Sequence, residues 1–108
     1  ADGFIEGREN ILNQEALGLK VTVIAEVKLA NNTTEALNEF EAAVKKHEKI
    51  LSCYVMSGDS DYLLKIVDKD IRDYERFLRE SLANLPYVSS LKSSFALKCV
   101  KNSTHLPI

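Results

Sequence analysis

Residues 55–67 read VMSGDSDYLLKIV, two apolar runs joined through one glycine and two aspartates. Asp59 and Asp61 are anionic at neutral pH, and the backbone around Gly58 offers N–H donors within a few residues of them. Such a set suits a zwitterion. An α-amino acid presents a carboxylate that wants N–H or O–H donors and, a few ångströms away, an ammonium that wants an anion. In that reading the amides around Gly58 take the carboxylate, Asp61 or Asp59 takes the ammonium, and the hydroxyls of Ser93 and Ser94 complete the shell. A plainer reading stands beside it: Gly58 supplies a positive φ, and Asp59, Ser60 and Asp61 bond local amides as turn formers. Calcium is a third option, but two carboxylates in a four-residue turn fall short of the ligand set of an EF-hand loop.

Other chemistry finds little support. Cys53 and Cys99 are isolated, with no CxxC and no nearby histidine pair, and are read as packing residues rather than metal ligands. His47 and His105 are single and read as surface residues. There is no nucleophile elbow and no phosphate loop. No cofactor and no metal site is expected.

The elements that must position the turn follow from periodicity. From Leu19 to Leu29 every odd residue is apolar while Lys20, Thr22, Glu26 and Lys28 fall between them, which predicts a strand with one buried face. Asn32 followed by Glu35 resembles a capping pair, and Leu37, Phe40, Ala43 and Val44 predict a helix to about His47. Ile50–Ser57 and Tyr62–Val67 read as strands two and three, a hairpin closed by the Gly-Asp-Ser-Asp turn. Asp70 caps a second helix whose stripe runs Ile71, Tyr74, Phe77, Leu78, Ser81, Leu82, Leu85 until Pro86 stops it. Val88 to about Lys101 reads as strand four, and the remainder as a tail.

The order β-α-β, hairpin, β-α-β with right-handed crossovers gives an α+β, ferredoxin-like βαββαβ fold: a four-stranded antiparallel sheet with two helices on one face. Strands two and four then lie at opposite edges, so Cys53 and Cys99 should not meet. The face away from the helices carries Ile24, Tyr54 and Met56, and strand three is apolar on both sides. Large apolar groups there call for a cover, and a second copy packed face to face, as in a dimeric α+β barrel, supplies one.

At 108 residues, 45% hydrophobic and 28% charged, the chain has the size and composition of one domain. Its net charge of −2 and scattered basic residues provide no stripe for a phosphate backbone, so this chain alone is not expected to grip DNA. No apolar run approaches the ~20 residues that span a bilayer, and the start lacks a secretory pattern, so a cytoplasmic location without membrane contact is expected. The first residues, Ala1-Asp2-Gly3, carry no methionine, which suggests that something upstream is missing.

The runs GFIEGRENILNQEALGL, CYVMSGDSDYLLKIV, DYERFLRESLANLPYV and SSFALKCVK resemble the Lrp/AsnC (leucine-responsive, asparagine-responsive, or feast/famine) transcriptional regulators over essentially the whole chain, most specifically at Gly58-Asp59-x-Asp61-Tyr62. The resemblance implies a hairpin linker at 1–17 and an effector-binding and oligomerisation domain at 18–108. The helix-turn-helix domain through which such regulators bind DNA has no counterpart here. It further implies a homodimer that assembles onward, commonly to an octamer, with a small amino-acid effector between dimers. Carried over by position, Val55, Ser57, Gly58, Asp59, Asp61 and Tyr62 line one side, Ile71 lies close by, and Ser93, Ser94 and Phe95 approach from the other. Two alternatives remain: a dimerisation module without ligand, and a small enzyme on a dimeric α+β barrel, for which the apolar interior offers no His, Arg or Tyr cluster.

Overall fold

The computed structural model describes residues 18–103 and 105–107. The linker hairpin expected at 1–17 lies outside the described residues. Strand β1 (Val21–Leu29) is followed by helix α1 (Thr34–Val44), the hairpin β2 (Ile50–Val55) and β3 (Tyr62–Asp68), helix α2 (Ile71–Glu80), a 3-10 turn at Leu82–Asn84, and β4 (Val88–Phe95). The sheet order is β2-β3-β1-β4, all antiparallel. This is the expected ferredoxin-like sheet. It is open, with β2 and β4 as edges, and not a closed barrel.

Alternation in β1 places Val23, Ala25 and Val27 at zero exposure, opposite Ile66, Leu64 and Tyr62 of β3. Phe40 and Val44 of α1 and Tyr74 and Phe77 of α2 close this side into one core, joined by Leu82 and Leu85 below the 3-10 turn. The opposite side of the sheet, carrying Ile24, Leu63 and Tyr54, has no helix over it among the described residues, and Tyr54 and Met56 are exposed.

Several boundaries differ from expectation for local reasons. Thr33, not Asn32, caps α1: its Oγ1 accepts from the Ala36 amide at 3.2 Å, while Asn31 Oδ1 accepts from both the amide and the hydroxyl of Thr33. Asp70 caps α2 as expected, accepting from Asp73 N at 2.7 Å. That helix stops at Glu80 and tightens into the 3-10 turn before Pro86. Ile71 begins the predicted stripe but is exposed. Strand β4 ends at Phe95 rather than near Lys101, because beyond Ala96 the chain leaves the neighbouring β1. Both cysteines are exposed rather than packed, Cys53 on an edge strand and Cys99 in the tail. His105 is exposed, but His47 is half-buried, its ring edge against Phe77 at 5.6 Å.

Candidate functional site

The turn between β2 and β3 is tied down at its base and open at its tip. The Met56 amide donates to the Asp61 carbonyl at 3.0 Å, and the Asp61 amide to the Val27 carbonyl at 2.9 Å. The Asp61 side chain faces β1, where Oδ2 accepts the Leu29 amide at 2.8 Å. On the other side Ser60 Oγ donates to Glu26 Oε1 at 3.0 Å. The amides of Ser57, Gly58, Asp59 and Ser60 donate to nothing among the described residues.

Between the tip and the sheet is a cavity of about 220 Å³. Met56 and Leu63 form its apolar wall, Glu26 and Asp59 bring carboxylates, and Ser57, Gly58 and Ser60 supply backbone and hydroxyls. Glu26 stands opposite Leu63 in the β1–β3 register, so the cavity opens on the helix-free face. Gly58 does not have the positive φ expected of it; only Gly18 does among the described glycines, and a Cβ built on Gly58 meets nothing within 4 Å. The turn's geometry therefore tolerates a side chain at 58.

The ten candidate residues do not form one site. Val55, Ser57, Gly58, Asp59 and Asp61 cluster at the turn, where Val55 is 74% exposed. Tyr62 adjoins them in sequence but is buried, its ring 4.6 Å from that of Phe40 and its hydroxyl donating to Glu41 Oε2 at 2.5 Å. Ser93 and Phe95 meet Tyr74 instead: Ser93 Oγ shares a 2.5 Å hydrogen bond with its hydroxyl, and Phe95 meets its ring edge-on at 5.6 Å, while Ile71 is exposed at the start of the same helix. Ser94 points to the other face of the sheet, opposite Ile24. The Tyr74 group lies on the helix-covered face of the sheet, Ser93 level with Leu64 and Phe95 with Ile66 across β1, whereas the cavity opens on the opposite face. Within one chain, no single amino acid touches both groups.

Burial and the Glu41 carboxylate push the Tyr62 phenol well above its ordinary range. Burial also raises Tyr74, partly offset by its Ser93 hydrogen bond. No cluster of metal-ligating side chains occurs among the described residues.

Glu26, Met56, Ser60 and Leu63 line the cavity but are not among the ten candidate residues. The available signal was Glu26, the one acid in strand β1. Tyr87 also escaped notice: it adopts φ 67°, and its carbonyl accepts the Ala30 amide at 2.7 Å beside the β1–β4 bulge.

The family model of the Lrp/AsnC ligand binding domain matches residues 22–106. The chain is 38% identical to the proline dehydrogenase transcriptional activator of Rhizobium radiobacter over 94% of its own length, and 37% identical to the leucine-responsive regulatory protein of Salmonella typhimurium over 98%. It spans 65% of the length of each of these relatives. A transcriptional regulator from Neisseria meningitidis, solved in complex with L-methionine, superimposes with a TM-score of 0.80 at 31% identity, covering 87% of this chain and 60% of that one. An AsnC family regulator from Agrobacterium tumefaciens gives 0.79 at 30% identity, covering 95% and 71%. These relatives are regulators of transcription and not enzymes. With its fold, its turn and the family match all in agreement, the chain belongs to the Lrp/AsnC family of transcriptional regulators and contains that family's ligand-binding domain.

Proposed function

We propose that residues 18–108 sense a small amino acid and transmit its presence through self-association to a helix-turn-helix domain outside this sequence. One observation carries the reading: the four turn residues whose amides have no acceptor among the described residues line a 220 Å³ cavity together with the carboxylate-bearing Glu26. That volume admits a small amino acid, and the donors and anions match its two charged ends. The methionine complex of the Neisseria regulator supports this class of effector.

The separation of the two candidate groups supports assembly as part of the mechanism. A ligand held by the turn of one copy and by Ile71, Ser93 or Phe95 of another joins different surfaces of the two chains. Repeated heterologously from dimer to dimer, such a contact closes as a ring, in keeping with dimers built into an octamer. The ligand then shifts assembly by its differential affinity for the joined arrangement, and so alters the spacing of the attached DNA-binding domains. With few contacts, affinity falls in the micromolar to millimolar range, about 4–8 kcal/mol.

Thermal melts and light scattering with each of the twenty amino acids test this. A ligand at about a hundred times its dissociation constant adds about 2.7 kcal/mol if it binds only the folded form. Sensing is refuted if none of the twenty moves either the melting temperature or the particle size. A second reading, dimerisation without ligand, draws on the Asp61 carboxylate, whose bond to the Leu29 amide gives it a structural task of its own.

A further inference from the structure

One carboxylate of the cavity is short of partners. Glu26 is half-buried, its Oε1 accepts from Ser60 Oγ at 3.0 Å, and no donor reaches its other oxygen among the described residues. Lys28, Lys65 and Lys92 share its face of the sheet, with Lys92 directly opposite it on β4. None of the three lines the cavity or forms an ion pair with Glu26. All three are exposed, so water and salt screen their charge. A carboxylate held partly out of water with a free acceptor favours a cation beside it.

The rest of the lining suits a flexible chain that ends in such a cation. Met56 and Leu63 form the apolar wall, and Leu63 stands opposite Glu26 in the β1–β3 register, so apolar surface and carboxylate adjoin. At the tip, the amides of residues 57–60 and the exposed Asp59, whose side chain has no partner among the described residues, suffice for the two charged groups on an α-carbon. Glu26 is then left for the side chain. The charged residues of the lining are Glu26 and Asp59, both acids. A methylene stem covers apolar wall while its charged end reaches a carboxylate, as lysine and arginine side chains do on protein surfaces.

We infer that the effector is a basic amino acid: its α-groups are held at the tip of the turn, its stem lies on Met56 and Leu63, and its terminal cation pairs with Glu26. Glu26 is the residue that sets this specificity. A neutral amino acid of the same length keeps the stem contacts but takes water from Glu26 without returning a counter-charge, the asymmetry by which a polar site rejects an analogue that lacks its partner. The inference rests on the reading that this cavity takes an amino acid, and narrows the class it takes.

The full chain is melted across concentration series of lysine, ornithine, arginine, methionine and norleucine, the last carrying the four-carbon stem of lysine without its ammonium. At least one basic amino acid is expected to raise the melting temperature at a concentration at least tenfold below that needed by norleucine or methionine. Glu26→Gln, which keeps an acceptor for Ser60, is expected to cancel that advantage and leave the norleucine response within twofold. The inference is overturned if norleucine or methionine acts within tenfold of the best basic amino acid, or if Glu26→Gln retains the tenfold preference. Should Glu26→Gln melt too early for comparison, the ranking in the wild type decides alone. A response to neutral amino acids only removes the basic class and leaves sensing standing, whereas no response of melting or particle size to any of the twenty removes both.

Discussion

Asp61 Oδ2 accepts the Leu29 amide at 2.8 Å, while the amide of the same residue donates to the Val27 carbonyl at 2.9 Å. The two bonds extend the β3–β1 pairing through the residue that enters β3, so the carboxylate holds the turn onto the sheet whatever else it binds. Leu29 is buried, and its amide bond to Asp61 is partly shielded from solvent. Asp61→Ala is therefore expected to cost about 1–3 kcal/mol in urea unfolding, while Asp61→Asn, which keeps an acceptor, costs less than about 1 kcal/mol. An effector ammonium that needs the charge separates the roles: the response is then lost in both variants, the stability mainly in one. Equal stability of Asp61→Ala and wild type removes the structural role.

Gly58 offers a cleaner probe of the cavity. Its φ is not positive and the space beside it is empty, so Gly58→Ala is expected to leave urea stability within about 1 kcal/mol or raise it slightly. The added methyl group sits on a lining residue, and the amino-acid-induced melting shift should fall. A full shift in this variant places the ligand elsewhere.

The Tyr62 phenol is held in its protonated form by burial and by its hydrogen bond to Glu41. Its folded pKa lies above the ordinary value of 10.0, so the stability it confers is complete below pH 10 and is lost as pH rises beyond it. Comparing urea unfolding of wild type and Tyr62→Phe at pH 8 and pH 10.5 isolates this residue from the lysines. Wild type should lose more stability over that interval than the variant, and parallel losses would contradict the assignment.

Asp68 is fully buried at the end of β3, where Oδ2 accepts from Lys49 Nζ at 2.9 Å and Oδ1 from the Lys69 amide at 2.8 Å. Lys49 also lies 5.2 Å from the centre of the Phe77 ring. Lys49→Met strips a buried carboxylate of its cation and is expected to cost about 1–3 kcal/mol by thermal or urea unfolding. Lys69→Ala removes only an exposed pair with Asp73 and should change stability by less than about 0.5 kcal/mol. Similar effects for the two lysines would show that burial of Asp68 does not govern the difference.

Much of the architecture was legible because it is written in local periodicity. The alternation through Val23, Ala25 and Val27 marked both a strand and its buried face, and the Phe40/Val44 and Tyr74/Phe77 spacings marked the helix faces that cover it. Element ends were less legible because they depend on partners. Thr33 rather than Asn32 caps α1 through where its hydroxyl points, and β4 stops at Phe95 because β1 runs out beside it, although the residues beyond still read as strand.

The sequence by itself determined the residue types at the site: a turn with one glycine and two aspartates, flanked by apolar strands. Only the tertiary structure decided how they are divided. Backbone pairing turned Asp61 toward Leu29, register brought Glu26 and Leu63 under the tip, and alternation along β4 set Ser93 and Phe95 against Tyr74 on the helix-covered face, away from the cavity. Spacing along a chain records which residues share a face, whereas direction and distance between faces arise only when strands pair and helices cross over them.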